Sequence, residues 1–351
     1  MSSLVARDHK VLVKAGRPAS SSSRYWRSPL AWFYSISSWR SRLLLGISML
    51  ILIFLVISRS IAIVSWDQDE ANFLLVSRHH RYTVLINTWK RYDLLRKSVA
   101  HYASCRGVDA IRVVWSESEP PSESLLAALE KSIRAAKNNP ELELRIDIND
   151  EDNLNNRFKP LDGVTTDGIF SIDDDVLVPC TTLELSFRVW LSAPDSMVGF
   201  VPRMHWARLK NNWKQISPTF RPEQPTFTYG GWWSVWWMGT YSMVLTKAAF
   251  LHHKYLEYYT LQMPASIREY VANQRNCEDI AMSFMVANLT NAPPIWVKGK
   301  LYEIGSSGIS SLKGHDVHRT VCVNFLAARY GYMPLVSSNV KAVGANLQWF
   351  W

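Results

Sequence analysis

Several signatures of common ligand sites are missing from this sequence of 351 residues. No GxGxxG motif follows the first predicted strand and no GxxxxGK[ST] motif occurs, which argues against a dinucleotide site or a P-loop. Only four cysteines are present, and none of them forms a CxxC or a Cys/His zinc pattern. Internal repeats are also absent. The sequence therefore indicates neither a dinucleotide-binding enzyme, nor a P-loop enzyme, nor a zinc protein.

Net positive charge is also low outside the first 42 residues, although the net charge of the whole chain is +9. Residues 1–42 hold eight basic residues against one acidic residue, a net charge of +7, which leaves +2 for the other 309 residues. The body of the chain is close to neutral, and we expect no nucleic-acid partner. The four serines at 20–23, among scattered basic residues, indicate a disordered tail.

Residues 43–58 carry no charge, and Arg59 is the single charge before Trp66. Counted through Trp66, with Arg59 reaching toward the interface, the run is long enough to cross a thin membrane. A signal-peptide core is shorter and lies nearer the amino terminus, so we prefer an anchor to a cleaved signal peptide or a buried helix. The basic tail then predicts a type II membrane protein. Its parts are a cytosolic tail at 1–42, an anchor at 43–66, a short luminal stem at 67–81 and a luminal domain at 82–351.

Short apolar runs alternate with helical patterns from residue 82 onward. This alternation predicts a parallel sheet in a doubly wound α/β domain. The strands are expected at 83–88, 111–115, 144–148 and 168–172, with helices at 91–104 and 122–138 between them. Further along we expect helices at 182–192, at 247–257 and from 276, and strands at 197–201, 241–246, 295–298 and 302–304.

Three consecutive carboxylates arrive at the end of the last of the first four strands. They are Asp173, Asp174 and Asp175, directly after the apolar run Gly168–Ile172. Ligands of open α/β sheets bind outside the carboxyl ends of the strands. Carboxylates crowded there repel one another unless a cation or hydrogen-bond donors neutralise them, and a hard divalent ion can also bridge phosphates. We therefore expect metal-assisted handling of a diphosphate; an acidic loop or helix cap facing water is the alternative.

Six tryptophans lie between residues 203 and 240, among the glycines of a predicted loop region. Aromatic rings of this kind stack on the faces of sugars or sit at a membrane interface. Packing in the core is the alternative for any one of them. They are Trp206, Trp213, Trp232, Trp233, Trp236 and Trp237.

Further charged positions are candidates for the same site. Glu278 and Asp279 lie in the first turn of a predicted helix, where acids are often only partners of the helix dipole. Arg319 would bind a phosphate if it faced the three carboxylates Asp173–Asp175, although a lone arginine is more often a surface residue. The stretch 305–314 (GSSGISSLKG) is a candidate mobile loop that could close over a diphosphate.

The spacing of the cysteines leaves their pairing open. All four lie on the predicted luminal side, where disulfides form, and four cysteines allow three pairings. They are Cys105, Cys180, Cys277 and Cys322.

Eight segments occur along the chain in one order: TVLINTWKR (83–91), IRVVW (111–115), LNNRF (154–158), FSIDDDV (170–176), VGFVPR (198–203), YSMVL (241–245), NCEDIAMSF (276–284) and HRTVCVN (318–324). Together they resemble glycosyltransferase family 64, the exostosin-type transferases, over residues 82–340. The resemblance implies the GT-A fold, a single Rossmann-like nucleotide-sugar domain with a mixed central sheet. The segments YGGWWSVWW (229–237), PASIREY (264–270), WVKGKLYEIGSSGISSLKGH (296–315) and QWFW (348–351) are most similar to the plant branch that mannosylates glycosylinositol phosphorylceramides.

The resemblance also implies roles for particular residues. Asp175 would be the direct Mn²⁺ ligand, with Asp173 and Asp174 toward the ribose and the sugar of the donor. Asp279 would face the sugar, Arg319 would bind phosphate, and Cys277 would pair with Cys322, which leaves Cys105 and Cys180 either paired or free. Base and diphosphate contacts would come from Thr88, Arg91, Asn156 and Arg157, and the acceptor side from Trp232, Trp233, Trp236 and Tyr241. The animal members of the family have an Asp in place of Glu278, so the resemblance leaves the role of that residue open.

The resemblance implies a Mn²⁺-dependent retaining transferase of the Golgi membrane that moves mannose from GDP-mannose to the head group of an inositol phosphorylceramide glycolipid. A transferase of N-acetylhexosamine or glucosamine from a UDP-sugar, to a lipid or polysaccharide, is the alternative within the enzyme class. A catalytically silent Golgi protein that binds sugar or acts as a scaffold is a third hypothesis, and a hydrolase with paired carboxylates is a fourth.

Overall fold

The computed structural model of the protein describes residues 38–75, 81–136, 140–208, 226–305 and 315–344. The chain divides into two compact units, Met1–Ser65 and Trp66–Trp351. Most of the predicted disordered tail lies outside the described residues, and so does Trp213.

Helix α1 runs from Trp39 to Leu75. Its segment Trp39–Ser60 has 22 residues with a mean hydropathy of 2.4 and is not buried, so by length and composition it could cross a membrane. Residues 67–75 of the predicted stem continue the same helix, because they include no glycine or proline that would break it. Stem residues 76–80 lie outside the described part of the chain.

Eight strands of the second unit form one mixed sheet, in the order β13-β11-β6-β10-β4-β1-β2-β3. They are β1 (Tyr82–Thr88), β2 (Val108–Trp115), β3 (Glu143–Ile148), β4 (Gly168–Asp173), β6 (Val198–Gly199), β10 (Ala248–His252), β11 (Ile295–Lys298) and β13 (Lys341–Val343). β1 is parallel to β2 and β4, and β2 is parallel to β3. β10 is antiparallel to both β4 and β6. The mixed α/β sheet that the resemblance implies is confirmed, and the purely parallel sheet is wrong at β10.

Shorter strands and the helices complete this unit. β5 (Val176–Leu177) pairs with β12 (Tyr302–Glu303), and β7 (Pro202–Arg208) pairs with β8 (Thr226–Gly230) and β9 (Met243–Val244). The helices are α2 (Tyr92–Ala103), α3 (Glu123–Ala135), α4 (Cys180–Ser192), α5 (Trp232–Met238), α6 (Lys254–Glu257), α7 (Ala265–Gln274), α8 (Glu278–Thr290) and α9 (His315–Tyr330). A 3-10 turn at Leu154–Phe158 and a π-helical turn at Tyr258–Gln262 lie between them.

The core occupies both faces of the large sheet. In β1, Val84 and Ile86 join one buried cluster and Leu85 joins the other, because successive side chains of a strand point to opposite faces. A sheet that is covered on both faces needs nearly continuous apolar strands, and β1 and β4 have them. Their polar ends are therefore the exceptions that call for a functional explanation.

The segment 247–257 is the clearest error of the sequence-based assignment. It was expected to be helical, but residues 248–252 form β10 and only 254–257 are helical. Its alanines and leucine favour a helix locally, yet the gap between β4 and β6 is filled by an apolar strand, so tertiary pairing outweighs propensity. The strands expected at 197–201 and 241–246 are likewise reduced to two residues each.

Two disulfides connect helices of the second unit. Cys105, after α2, is joined to Cys180 at the start of α4, and Cys277, before α8, is joined to Cys322 in α9. The Cys277–Cys322 pairing is the one that the resemblance implies. The Cys105–Cys180 disulfide shows that the other two cysteines are paired and not free. The Cys277–Cys322 bridge fastens the beginning of α8 to the middle of α9.

We expect Cys277→Ser to lower the free energy of unfolding by about 2–4 kcal/mol, because the bridge closes a long loop and so restricts the unfolded chain. Thermal unfolding of the wild type and the variant, each with and without reductant, measures this. Reductant should lower the stability of the wild type toward that of the variant. Equal stability of the two proteins under oxidising conditions would contradict the prediction.

Candidate active site

The carboxyl ends of three neighbouring strands meet at one edge of the large sheet. Thr88 of β1 lies opposite Trp115 of β2, and Asn87 lies opposite Asp173 of β4. Beyond the end of β4, the Asp174 backbone N–H donates to the carbonyl of Asn87 at 3.1 Å. The acidic cluster, Asp173–Asp175, is thus placed at the edge where α/β sheets bind ligands.

Each carboxylate of the acidic cluster is held by an arginine. Arg91 bridges two of them, with Nη2 2.5 Å from Asp174 Oδ1 and Nη1 2.6 Å from Asp175 Oδ2. Arg157, which is 4% exposed, pairs with Asp173. The Thr88 hydroxyl donates to Asp174 Oδ2 at 2.7 Å. The structure therefore brings Thr88, Arg91 and Arg157 together with the acidic cluster, where they offset its repulsion.

The three carboxylates differ in burial. Asp174 is fully buried, and burial raises its pKa to about 6, although the Thr88 hydrogen bond and Arg91 oppose the rise. The side chains of Asp173 and Asp175 are 25% and 23% exposed, so their oxygens can be reached from outside. Hard carboxylate oxygens at an accessible edge fit a divalent ion such as Mn²⁺. Asp175 and Asp173 are the residues that could hold the ion. The buried Asp174 pairs with Arg91, which also pairs with Asp175.

The backbone of Ile304 and Gly305 lies against Asp175. The Ile304 N–H donates to the Asp175 carbonyl at 2.8 Å, and a Cβ at Gly305 would lie 2.9 Å from Asp175 Cβ. Only a glycine fits this close approach without displacing the acid. It is the first residue of the predicted mobile loop; residues 306–314 of that loop lie outside the described residues.

A second charged group combines α8, α9 and β8. Arg319 Nη1 donates to Asp279 Oδ2 at 2.9 Å and to the Tyr229 hydroxyl at 3.2 Å. The other oxygen of Asp279 accepts the Ile280 backbone N–H at 2.7 Å. All three side chains are buried, with 4% of Asp279, 8% of Arg319 and 4% of Tyr229 exposed. Tyr229 was missed from the sequence, because only the fold brings it to a partner 90 residues away.

Glu278 links this group to the acidic cluster. Its Oε1 lies 3.5 Å from Arg157 Nη1, and Arg157 also holds Asp173. Two buried guanidinium atoms, Arg157 Nε and Arg319 Nε, have no hydrogen-bond partner among the described residues. Unsatisfied buried N–H donors carry a free-energy cost, so they indicate an anionic ligand such as a phosphate.

We expect Glu278→Gln to stabilise the protein at high pH and not at low pH. Burial, and next the charge of Asp279, raise the pKa of Glu278 from 4.5 to about 7, against the pull of Arg157 and Arg319. The folded state therefore binds a proton that the unfolded state releases, and its stability falls as the pH rises from 4.5 toward 7. At pH 8 the variant should melt about 2–6 °C above the wild type, and at pH 4 the two should coincide. Thermal melts between pH 4 and pH 8 test this, with the exposed Glu130→Gln as a control; a constant difference would contradict it.

Asn156 is buried, and among the described residues its side chain has no hydrogen bond to the acidic cluster. Its side-chain amide donates to Ser116 Oγ at 3.0 Å and to the Glu151 carbonyl at 2.6 Å. It ties the 3-10 turn to the chain that follows β2 and β3, and so holds Arg157 in place.

Four of the six tryptophans form an exposed patch on α5. Trp232, Trp233, Trp236 and Trp237 are 48%, 73%, 61% and 81% exposed, so packing in the core does not account for them. The rings of Trp232 and Trp236 stack with their centroids 6.5 Å apart. Gly231, just before α5, lies near Asp316 in the first turn of α9, the helix that carries Arg319. The patch therefore adjoins the buried charged group. Trp206 instead packs against the core.

Tyr241, expected on the acceptor side, has a different place. It is 2% exposed, and its hydroxyl donates to the Val340 carbonyl at 2.6 Å, with the Pro294 carbonyl at 3.1 Å, and accepts the Trp296 N–H. The ring is used to join β11 to the chain before β13. The predicted role of Tyr241 is therefore corrected: it has no surface to offer to an acceptor.

A mixed α/β sheet with acids at its edge is compatible with a glycosyltransferase, and the family match shows that the chain is one. The chain belongs to glycosyltransferase family 64, since residues 82–349 match the profile described as Glycosyl transferase family 64 domain. The predicted family and enzyme class are confirmed.

The chain is also similar to curated proteins over about three quarters of its length. It is 59% identical to "Glycosylinositol phosphorylceramide mannosyl transferase 1" of Arabidopsis thaliana over 271 residues, 77% of this chain and 78% of that protein. It is 33% identical to mouse "Exostosin-2" over 275 residues, which are 75% of this chain and 34% of that protein. Among solved structures, the mannosyltransferase PcManGT from Pyrobaculum calidifontis, in complex with GDP-Man and Mn²⁺, matches with a TM-score of 0.41 and 15% identity over 79% of this chain and 74% of that one.

Proposed function

We propose that this chain is a Mn²⁺-dependent retaining mannosyltransferase that moves mannose from GDP-mannose to the head group of a glycosylinositol phosphorylceramide. The observation that carries the proposal is the 59% identity to a relative named for this activity, with more than three quarters of both chains covered. The accessible acids of the cluster and the two buried arginines support it, because they suit a metal and a diphosphate.

The acidic cluster is assigned to the donor. Asp175, with Asp173, would hold Mn²⁺, and Arg91 and Arg157 fix the positions of these carboxylates. The bound ion would neutralise charge that develops on the leaving diphosphate. Thr88 and Asn156 act through this frame, since Thr88 holds Asp174 and Asn156 holds the turn that carries Arg157.

Arg319 and Asp279 are assigned to the reacting bond. Arg319 Nε, buried and without a partner among the described residues, would donate to the diphosphate, while its Nη1 stays on Asp279. Both oxygens of Asp279 already accept a hydrogen bond, which weakens it as a nucleophile. This favours attack by the acceptor on the same face of the sugar as the leaving group, with Asp279 supporting the positive centre. Either that route or a double displacement yields an α-linked product.

The tryptophan patch is assigned to the acceptor, with Trp232, Trp233 and Trp236 beside the buried charged group. A head group in a lipid layer is reached from the membrane surface, where tryptophan is enriched. Helix α1 supplies a segment that could serve as the anchor, and we place the enzyme in the Golgi membrane as a type II protein with its catalytic domain in the lumen.

We expect the double variant Trp233→Ala/Trp236→Ala to raise KM for the lipid acceptor by about tenfold. The stability of the protein should not change, because both rings are largely exposed. Hydrolysis of GDP-mannose in the absence of acceptor should also be unaffected. Leu261→Ala removes another exposed apolar side chain and is the matched control. A loss of donor hydrolysis equal to the loss of transfer would contradict an acceptor role.

Binding of nucleotide sugars to the full chain in detergent tests the proposed donor. Calorimetric titrations with GDP-mannose and with UDP-N-acetylglucosamine, each with and without Mn²⁺, are compared. Mn²⁺-dependent binding of GDP-mannose is expected. Preference for the UDP-sugar would move the function to transfer of an N-acetylhexosamine, and binding of neither donor by the folded protein would leave a non-catalytic sugar-binding role.

A further inference from the structure

A buried carboxylate lies near the acidic cluster and is not used by the mechanism above. Glu117 follows the end of β2 by two residues and is 7% exposed. Its Oε1 accepts the Lys90 backbone N–H at 2.7 Å, and its Oε2 accepts the Tyr92 hydroxyl at 2.7 Å. Both donors belong to the chain that follows β1.

The carboxylate of Glu117 lacks the arginine partner that each acid of the cluster has. Both of its donors are uncharged, and in the part of the chain that the structure describes no Lys or Arg nitrogen lies within 4.0 Å of it. A carboxylate can accept about four hydrogen bonds, and two of these positions are filled. Each oxygen therefore keeps one acceptor position. Such a buried anion is suited to a ligand that presents two parallel N–H donors.

The position of Glu117 along the sheet edge relates it to the proposed diphosphate site. The ends of β2, β1 and β4 lie side by side in register. Neighbouring strands are about 4.8 Å apart, so the end of β2 lies about 10 Å from the acidic cluster at the end of β4. This separation is comparable to the distance between the diphosphate and the base of an extended nucleoside diphosphate.

The chain after β1 has further features of a base site. Lys90 adopts a φ of 53°, in the left-handed region, and backbone strain of this kind is kept where surrounding structure or function requires it. On either side of it, Trp89 and Tyr92 are 45% and 41% exposed, and the Tyr92 ring stacks on Trp115 at 5.7 Å. Exposed rings beside a buried acceptor offer a planar heterocycle both stacking and hydrogen bonding.

We infer that Glu117 determines base specificity, with its carboxylate accepting the N1–H and the exocyclic N2–H of guanine. The inference rests on the proposed function, in which the donor is a guanosine diphosphate sugar. Uracil presents a single N3–H between two carbonyl oxygens, so one oxygen of Glu117 would face a carbonyl and repel it. Glu117 thus selects guanine both by attraction and by rejection of the other base.

The test measures binding of GDP, UDP, inosine diphosphate and xanthosine diphosphate to the full chain in detergent with Mn²⁺. Wild type should bind GDP at least about tenfold more tightly than UDP or than inosine diphosphate, which lacks the N2 amino group. Glu117→Gln should lose both preferences. It should gain about tenfold or more for xanthosine diphosphate, because the new side-chain amide donates to the C2 carbonyl of xanthine. Tyr92→Phe, which removes only one donor to Glu117, should show no such gain.

A gain for xanthosine diphosphate separates base reading from support of the loop. If Glu117 only held the loop, its replacement would weaken all four nucleotides alike, and that outcome would overturn the inference. A Glu117→Gln protein that still prefers GDP would also overturn it, while leaving the proposed donor intact. Wild type that binds UDP more tightly than GDP would instead overturn the proposed donor itself.

Discussion

Asp175→Ala is expected to abolish Mn²⁺-dependent transfer, with a loss of at least about 10³-fold in turnover, since a bound metal contributes several kcal/mol of transition-state stabilisation. The fold should survive. Asp175 is partly exposed, and its partner Arg91 keeps the ion pair with the buried Asp174. Removal of one of three crowded negative charges also relieves repulsion. Stability without metal should therefore stay within about 0.5 kcal/mol of wild type, the range of surface substitutions.

A thermal melt with and without Mn²⁺ reports on this role independently of catalysis. Anything that binds only the folded state raises its stability. Mn²⁺ should therefore raise the melting temperature of the wild type and leave that of Asp175→Ala unchanged. Asp167→Asn is the matched control, because Asp167 is an exposed carboxylate just before the opposite end of the same strand, β4. If Asp175→Ala turns over GDP-mannose at the normal rate with Mn²⁺, the assignment of the metal ligand is wrong.

The local hydrophobic pattern of the sequence predicts most of the fold. The apolar runs of β1 and β4 and the helices α2 and α3 lie within a few residues of their predicted bounds, because both kinds of element have a strong period in the sequence. β10 could not be predicted in this way. Its residues have helix-favouring character, and only the space between two strands from other parts of the chain makes them a strand.

The sequence predicts the acidic cluster as a candidate site, because three charges at the end of an apolar run break the pattern that a buried strand requires. The resemblance added Arg319 and Asp279, which the structure brings within 2.9 Å of each other. The partners of these residues were not visible. Tyr229 and Glu117 acquire their positions from pairing between distant segments. The hydrogen bond of the buried Tyr241 hydroxyl likewise exists only in the packed domain.

We expect that the buried pair Asp279–Arg319 can be replaced without loss of stability but not without loss of activity. Arg319→Met leaves the Asp279 carboxylate, 4% exposed, with the Ile280 N–H as its hydrogen-bond donor, Glu278 beside it and no direct ion-pair partner, since Arg157 acts on it only from a greater distance. An uncompensated buried charge costs about 3–5 kcal/mol, so this variant should be strongly destabilised as well as inactive. Adding Asp279→Leu removes the orphaned charge, and the double variant should recover most of the lost stability, because apolar replacements of a buried ion pair are often neutral or better.

The double variant should nevertheless stay at least about 10³-fold below wild type in transfer, since the group that would stabilise the leaving diphosphate is gone. Equilibrium unfolding of the wild type, Arg319→Met and the double variant gives the stability, and single-turnover transfer at saturating donor gives the activity. Recovery of transfer together with stability would mean that the pair only supports the fold. Recovery of stability alone would mean that apolar packing can replace the Asp279–Arg319 pair in the fold. The protein would then retain the pair for the transfer reaction.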